Sequence, residues 1–225
     1  MDLATALRTR RSIRSFKPDP VPRDLVQDLL DQARWSPSWA NSQCWRVFVV
    51  TGAALERLRA VQGRLDAQGT APRPDFRFPD RTCWTPAMQA QNKALVQLLS
   101  EARASEPSAD PSGGRTFFGA PCLLLVAVDR RQVPDYALFD TGLFVQSLCL
   151  AAHDRGLGTC IQAMAVRHPD LLRQELPGAA DLAFVAGIAL GYPRDEAPVN
   201  AFQRPRADLE ALVAWVDEPD PPSGS

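Results

Sequence analysis

The sequence predicts a mixed α/β or α+β fold, in which helices surround a central mixed β-sheet. Three short runs, residues 46–51, 121–128 and 182–190, are almost wholly apolar, as strands covered on both faces are. Segments with apolar residues at helical spacing alternate with these runs. The 225 residues, of which 45% are hydrophobic and 23% charged, suffice for one full hydrophobic core.

Helical periodicity places the helices in order along the chain. Their predicted ranges are 3–10, 22–35 from Pro22, about 55–65, 84–104, 136–153, 169–176, and a last helix with Leu209, Leu212, Val213 and Val216 on its apolar face. The 136–153 helix is apolar on almost every side, which predicts burial in the core or in a subunit interface. Asp140 interrupts it, and we expect that side chain to cap a segment or to form a buried hydrogen bond.

Residues 68–116 interrupt this regular pattern. Gly69, Pro72, Pro74 and Pro79 break regular structure before the 84–104 helix, and residues 105–115 have the composition of a flexible loop. This excursion is either a lid that faces the substrate or a surface insertion without a catalytic part. The sequence thus predicts one domain over residues 1–217 and a disordered Pro/Ser/Gly-rich tail at 218–225.

Charge and targeting signals limit the classes of partner. The formal net charge is -1, so there is no global basic field for nucleic acid or an anionic membrane. The N-terminus lacks the apolar core of a signal peptide, and no apolar run is long enough to cross a bilayer as a helix. We therefore expect a cytoplasmic protein that binds neither nucleic acid nor membranes.

Cysteine and histidine usage gives no sign of a metal site. The five cysteines have no C-x-x-C spacing, and reduced, buried thiols are expected rather than a disulfide framework. The two histidines, His153 and His168, are far from metal-ligand spacing with them, so a structural zinc site is not expected. Neither histidine lies beside the motifs described next.

A polar loop between two tryptophans follows the second helix. It reads Ser-Pro-Ser-Trp-Ala-Asn-Ser-Gln-Cys-Trp from Ser36 to Trp45. Its hydroxyls, amides and backbone N–H groups beside flat apolar surface suit a heteroaromatic ring with a polar edge and an anionic tail. The alternative is a polar connector in which Trp39 and Trp45 are core anchors.

Cations cluster near both ends of the chain. Arg10, Arg11 and Arg14 surround Ser12 in an irregular segment, which offers a phosphate both charge and planar donors. Arg204 and Arg206 precede the last predicted helix, whose N-terminus would add free N–H groups. The alternative for each cluster is a solvated basic surface.

A glycine turn, Gly156-Leu157-Gly158-Thr159, leads from the 136–153 helix into an extended segment that ends in Ile161 and Gln162. Its glycines either let the backbone approach a ligand closely or serve as an ordinary helix cap. The turn alone does not distinguish the two.

Taken together, these motifs resemble the FMN-dependent nitroreductase family. The matching pieces are Arg-Arg-Ser-x-Arg-x-Phe near the N-terminus, Ser-Pro-Ser-x-x-Asn-x-Gln-x-Trp in the loop, Gly-Leu-Gly-Thr, and Arg-x-Arg-x-x-Leu-Glu near the C-terminus. The resemblance covers residues 3–60 and 117–217 and fails across 68–116. It implies a homodimeric α+β fold with FMN at the subunit interface, bound by both chains.

The resemblance also implies the cofactor contacts. Arg10 and Ser12, with Arg11 adjacent, would bind the FMN phosphate, and Arg206 with Arg204 would approach it from the C-terminal side. Arg14 would lie near the pyrimidine edge. The remaining implied contacts are Pro37, Ser38, Trp39 and Asn41 from the other subunit, and Ile161, Gln162, Ala163 and Met164, largely through their backbone, along the isoalloxazine edge.

Two residues depart from the family pattern. Cys44 stands where relatives usually have proline, which either loosens the turn, places a thiol near the cofactor or leaves a buried inert cysteine. Trp39 replaces a smaller residue of many relatives and would narrow the substrate pocket or stack near the ring.

The implied activity is ping-pong transfer of hydride from NADPH or NADH, through flavin N5, to a small electron acceptor such as a nitroaromatic or a quinone. Arg14 would stabilise the reduced anionic flavin, and no side-chain general acid is required. Enone reduction, reductive dehalogenation and flavin fragmentation remain alternatives within the fold, and a non-catalytic flavin-binding dimer is the alternative from another class.

Overall fold

The computed structural model describes residues 1–105, 114–132 and 134–216. Its helices and strands follow one another in the order α1 Leu3–Thr9, α2 Arg23–Ala33, β1 Trp45–Thr51, α3 Gly52–Ala67, α4 Pro86–Ala104, β2 Cys122–Asp129, α5 Pro134–Asp154, β3 Gly158–Gln162, α6 Pro169–Glu175, β4 Leu182–Gly191 and α7 Pro198–Ala201. The short helix α7 was not predicted from the sequence.

The four strands form one sheet in the order β1-β2-β4-β3, and every neighbouring pair is antiparallel. Helices packed around such a sheet confirm the α+β fold. Parallel pairing within the described ranges is limited to an isolated bridge between Ser12 and Thr159, so the paired strands are not mixed in direction. β1 and β3 are the edge strands, and β3 has Ser12 beside its free edge.

The core lies on both faces of the sheet. Alternate residues of β2 point to opposite faces, so Leu124 and Val126 pack with α2 and α5, whereas Leu123 and Leu125 pack with α3 and α6. All four of these leucine and valine side chains are fully buried. This two-sided burial explains why the predicted β2 and β4 segments are continuous apolar runs.

The apolar helix α5 is buried along most of its length, as the sequence predicts, but its N-terminal part is not. Phe139 is 66% exposed and Tyr136 is also exposed, whereas Phe144 and Leu148 are buried against the sheet. The described chain therefore leaves an aromatic patch uncovered on α5.

The prediction of a last helix, with Leu209 and Val216 on its apolar face, is wrong. After α7 the chain is irregular up to residue 216, apart from a single 3₁₀ turn at Leu209–Ala211. Leu209, Leu212 and Val216 are exposed rather than packed. A short amphipathic helix gains most of its stability from a surface that covers its apolar face, and the described chain offers none here.

The first part of the excursion is fastened to the body of the protein. The backbone N–H of Arg73 donates to the carbonyl of Arg167 over 3.0 Å. One Asp75 oxygen accepts from the backbone N–H of Phe184 over 2.8 Å, and the other accepts from Arg173. A lid role for this part therefore lacks support from the geometry.

The second part of the excursion is α4, which packs its C-terminal end against the segment that carries α7. Leu99 and Ala102 contact Ala197, Val199 and Phe202. Residues 106–113 of the predicted flexible loop and the predicted tail lie outside the described residues. In the ranges that are described, no helix combines the length and the apolar character that a membrane span requires.

Candidate functional site

The two ends of the chain meet at the arginines that the sequence singles out. The Arg204 guanidinium donates a hydrogen bond to the main-chain carbonyl of Arg10. Burial, together with the positive charges of Arg10, Arg206, Arg11 and Arg14, lowers the pKa of Arg204 to about 10. These five residues, the arginine cluster, thus lie within electrostatic range of one another.

The arginine cluster has no acidic partner among the described residues. None of its members forms a salt bridge there, and the Nε atoms of Arg10 and Arg204 are buried without a hydrogen-bond partner. Buried donors without partners are costly, and like charges held together raise that cost. An anion bound among them removes both penalties, so the geometry is that of an anion site.

Local contacts explain how the N-terminal segment reaches this place. α1 ends at Thr9, and the backbone N–H of Arg10 still donates to the Ala6 carbonyl over 3.0 Å. The chain then runs beside β3, where the N–H of Ile13 donates to the carbonyl of Thr159 over 2.9 Å. A Cβ on Gly158 would lie 2.6 Å from Ile13, so this glycine permits a close approach of Ile13 rather than of a ligand.

Gly156 has the second role predicted for the glycine turn, that of a helix cap. Its φ of +72° and the hydrogen bond from its N–H to the His153 carbonyl, 3.1 Å, make it the left-handed residue that follows α5.

Asn200, on α7, is a site residue that sequence reasoning missed. Its Oδ1 accepts from the backbone N–H of Arg14 over 2.7 Å, and its Nδ2 donates to the carbonyls of Ser15 and Arg194 over 2.8 and 2.9 Å. The side chain is buried, so these bonds hold the backbone of Arg14 in place. The only signal in the sequence is a lone asparagine in an apolar segment, just ahead of Arg204.

The edge strand β3 supplies the other predicted contacts of the same chain. The side-chain amide of Gln162 is buried, and within the described part of the chain neither its nitrogen nor its oxygen has a hydrogen-bond partner. Ile161 and Ala163 are exposed and Met164 is half-buried. β3 therefore presents an unpaired amide next to open apolar surface, on the strand that flanks Ser12.

The polar loop at 36–44 is fastened to α5 by Asp140. Asp140 accepts hydrogen bonds from the backbone N–H of Trp39, 2.9 Å, and from the hydroxyl of Ser42, 3.5 Å. This confirms the expected buried hydrogen bond of that carboxylate. Ser38 accepts from the Gln43 N–H over 2.9 Å within the loop.

Three residues of this loop have left-handed backbone conformations although none of them is a glycine. Ala40, Asn41 and Gln43 have φ values of 47°, 56° and 46°. Such conformations cost of order 1 kcal/mol each and persist only where neighbouring contacts enforce them. The loop is therefore a strained and specific structure rather than a simple connector.

The two tryptophans of the loop have different environments. Trp45 is buried and stacks on Phe144, which fits the core-anchor interpretation, whereas Trp39 is 64% exposed beside Tyr136. Pro37 and Asn41 are exposed as well, and Ser38 is half-buried. The Cys44 thiol is buried against the Ala137 carbonyl, and burial raises its pKa, so it is an unreactive packing residue.

The loop and the arginine cluster lie toward opposite ends of α5. Asp140 holds the loop, and His153 lies near the cluster, 13 residues later on the same helix. At about 1.5 Å per residue, this separates the two along the helix axis by about 20 Å. The described contacts of one chain therefore do not join the loop to the arginines.

The comparisons with known proteins agree with this geometry. The model of the Nitroreductase family matches residues 7–192. The chain belongs to the nitroreductase family. It is 35% identical to the chloronitrobenzene nitroreductase of Comamonas testosteroni and 33% identical to the nitrobenzene nitroreductase of Ectopseudomonas oleovorans, in each case over 94% of this chain and 96% of that protein.

A solved structure of the same family supports the fold. The crystal structure of the FMN-dependent nitroreductase NfnB from Mycobacterium smegmatis in complex with NADPH has a TM-score of 0.86 and 28% identity to this chain. The match covers 96% of this nitroreductase-family chain and 100% of the NfnB chain.

One histidine contradicts the sequence prediction for this nitroreductase-family chain. The sequence predicts that His153 does not lie beside the cofactor-binding motifs. In the structure, however, it lines a cavity of about 420 Å³ together with Arg10 and Arg11. Burial lowers its pKa, and the charges of Arg10, Arg11 and Arg204 lower it further. Sequence separation conceals this contact, because α5 brings His153 back to α1 from more than 140 residues away.

Proposed function

We propose that the chain is an FMN-dependent NAD(P)H oxidoreductase that reduces nitroaromatic compounds. The observation that carries the proposal is the arginine cluster, in which mostly half-buried cations from both ends of the chain converge without a salt-bridge partner among the described residues. Membership of the nitroreductase family makes the phosphate of FMN the anion that this cluster fits. Both supports point to the same cofactor.

The donors that the arginine cluster offers suit a phosphate. The buried Nε atoms of Arg10 and Arg204 lack acceptors, and a phosphate oxygen accepts several charge-assisted hydrogen bonds. Ser12 adds a hydroxyl beside them, and the exposed Arg206 and half-buried Arg11 add charge. In this proposal Arg10, Ser12, Arg204 and Arg206 hold the phosphate, with Arg11 adjacent.

The surroundings of β3 suit the flavin ring. The Gln162 amide provides a donor group and an acceptor that have no partner among the described residues, which matches the alternating donors and acceptors of a pyrimidine edge. Ile161, Ala163 and Met164 add backbone groups and apolar surface along the free edge of the sheet. Arg14, whose backbone Asn200 holds, supplies positive charge toward that edge.

A second copy of the chain completes the proposed site. Pro37, Ser38, Trp39 and Asn41 lie about 20 Å along α5 from the cluster, so in a homodimer they would serve the site of the partner. The exposed aromatic patch of Tyr136 and Phe139 beside Trp39 supports such an interface, because exposed apolar patches of this kind mark interaction surfaces.

When bound, FMN supplies the redox chemistry by accepting a hydride from NAD(P)H and passing it on to the electron acceptor in ping-pong order. The residues of this chain bind and orient it. Asn200 fixes the backbone of Arg14, and the guanidinium of Arg14 stabilises negative charge at the pyrimidine edge. His153 and Asp195 share a cavity with Arg10 and Arg11, but the proposed hydride transfer needs no side-chain proton donor, so we assign no side-chain general acid.

The acceptor class rests on the relatives. The chloronitrobenzene and nitrobenzene nitroreductases share about a third of their residues with this chain over nearly their whole lengths. Nitrobenzenes are therefore the acceptors to test first, and quinones the second class. A 5,6-dimethylbenzimidazole synthase of Rhodospirillum rubrum matches at 28% identity over 87% of this chain, so formation of 5,6-dimethylbenzimidazole is the third activity to test.

The experiment is spectroscopic. Protein purified with FMN should be yellow, should bleach anaerobically on addition of NADPH or NADH, and should regain colour when nitrobenzene is added. Size-exclusion chromatography with light scattering measures the dimer in parallel. A colourless protein that ignores added FMN would contradict the cofactor, and bleaching without reoxidation by nitroarenes would contradict the acceptor class.

A further inference from the structure

The pair Thr9–His153 lies beside the arginine cluster and has no part in the mechanism above. His153 Nε2 is 2.7 Å from the Thr9 hydroxyl oxygen, and both residues line the cavity that contains Arg10 and Arg11. This cavity has a volume of about 420 Å³. It continues past the glycine turn at Gly156 and Gly158, so a histidine of α5 and two arginines share one concave surface.

The hydrogen bonds of Thr9 decide which ring nitrogen carries the proton. The Thr9 hydroxyl has one hydrogen, and it donates to the Thr5 carbonyl over 2.7 Å, a much better acceptor than the Met1 sulfur at 3.9 Å. The Thr9 oxygen therefore accepts from His153, and Nε2 is the protonated nitrogen. Nδ1 is then the position that gains a proton when the ring becomes positively charged.

Apart from Asp195, the other charged groups around His153 are either positive or already paired with a group of opposite charge. The amino terminus of Met1 binds Asp154 over 2.6 Å, so the carboxylate next to His153 on α5 already has a cationic partner. Arg155 is paired with Asp28 over 2.7 Å. Asp195 lines the cavity from the segment after β4.

The remaining groups that face His153 are cations. From the N-terminal segment these are Arg10 and Arg11, and from the C-terminal segment Arg204. The described surroundings thus favour neutral imidazole as long as the arginine cluster has no anion. A dianion among the arginines reverses this balance, because it compensates their charge and attracts imidazolium.

We propose that His153 is a further residue of the phosphate site, which takes up a proton when the FMN phosphate binds and adds a positive charge to the arginine cluster. The inference rests on the proposed function and deepens it, because it couples cofactor affinity to pH. The ring is a positioning and charge-supplying residue and takes no part in hydride transfer.

The sign of the coupling follows from linkage. The pKa of His153 is below its usual value in the free protein and rises when an anion binds, so the bound state holds more protons between these two values. FMN affinity therefore increases as pH falls from about 8 toward about 6.5, near the ordinary pKa of histidine. Below pH 6 the phosphate takes up its own proton, which opposes the effect.

The first experiment compares FMN dissociation constants at pH 8 and pH 6.5, by quenching of flavin fluorescence, in the wild type and in His153→Gln. Glutamine keeps an amide donor for Thr9 but cannot be protonated. Affinity of the wild type should rise by about threefold to tenfold on acidification, the size of one net hydrogen bond, and that of the variant should not. Riboflavin, which lacks the phosphate, should show no such gain.

The second experiment needs no variant and no flavin. The chain has only two histidines, so the ring signals of His153 and His168 can be titrated by NMR with and without sulfate, which remains a dianion throughout. The His153 pKa should rise with sulfate, whereas that of His168, which lies beside Arg167 and Asp66, should not.

Two outcomes would overturn the proposal. One is an FMN affinity that depends on pH equally in the wild type and in His153→Gln, and the other is a His153 pKa that sulfate does not change. Failure of FMN to bind at any pH would count against the proposed function, while the sulfate titration still decides the role of His153.

Discussion

Arg204 donates a hydrogen bond from its side chain to the main-chain carbonyl of Arg10, which joins two residues 194 positions apart. This contact brings the C-terminal arginines to the N-terminal ones. It also makes the carbonyl of Arg10 a positioning group, since the buried Nε of the half-buried Arg204 has no hydrogen-bond partner among the described residues. The predictions below follow from this contact and from three others.

Replacement of Arg206 by glutamate should weaken FMN binding by roughly 10-fold to 100-fold, because a carboxylate near the phosphate replaces a charge-assisted interaction with repulsion. Arg206 is exposed, so the variant should remain folded. Equilibrium FMN titration and circular dichroism measure the two quantities. Arg64→Glu, which makes the same change at an exposed position of α3, should leave FMN affinity unchanged. Similar losses in both variants would show that the effect is one of net charge alone.

Replacement of Arg14 by alanine should slow flavin reduction more than it weakens FMN binding, because its charge matters most after the ring becomes negative. The rate of bleaching by NADPH under FMN saturation and the FMN dissociation constant give the two numbers. Arg14→Lys keeps the charge and should recover most of the rate. Parallel losses of rate and affinity would make Arg14 a simple binding residue.

Asp75→Asn should lower the free energy of unfolding by about 3 kcal/mol, because it removes the buried one of the two carboxylates that pair with the largely buried Arg173 guanidinium. Asp170→Asn is the matched control. Asp170 also pairs with Arg173, over 2.7 Å, but its side chain is 86% exposed, so its loss should cost less than about 1 kcal/mol. Urea denaturation measures both. A lid that opens freely would instead tolerate Asp75→Asn as well as Asp170→Asn.

Acid should selectively weaken the link between α3 and the segment before α6. Burial on its own would raise the pKa of Asp66, but two hydrogen bonds and the charge of Arg167, helped by Arg115, bring it below the usual 3.8. A lowered pKa in the folded state contributes stability that is complete above about pH 4 and disappears as pH falls through the folded value.

The test is the variant Asp66→Asn, measured by urea unfolding at pH 7 and at pH 3. At pH 7 it should be less stable than the wild type by about 3 kcal/mol, since Arg167 is fully buried. The difference should shrink at pH 3 as the wild-type carboxyl takes up a proton. A difference that stays constant with pH would show that the charge of Asp66 is irrelevant.

Local sequence signals were sufficient for most of the regular structure. The strands β1, β2 and β4 and the helices α2 and α5 begin and end within two residues of their predicted bounds, because periodicity of apolar residues reports directly which faces are buried. The arginines near each end were also visible as charge clusters. The resemblance of the motifs to the nitroreductase family predicts that both clusters bind one phosphate.

Tertiary structure alone decided the contacts between distant segments. His153, Asn200 and Asp75 acquire their roles from neighbours more than 90 residues away, and nothing in their local sequence indicates those neighbours. The helix predicted after Arg206 is absent from the described chain because it lacks such contacts with distant segments. Its apolar positions have the correct spacing, but Leu212, Trp215 and Val216 find no surface to cover them in the described chain. Periodicity states which face of a segment avoids water, whereas only the assembled fold determines whether another surface is there to receive it.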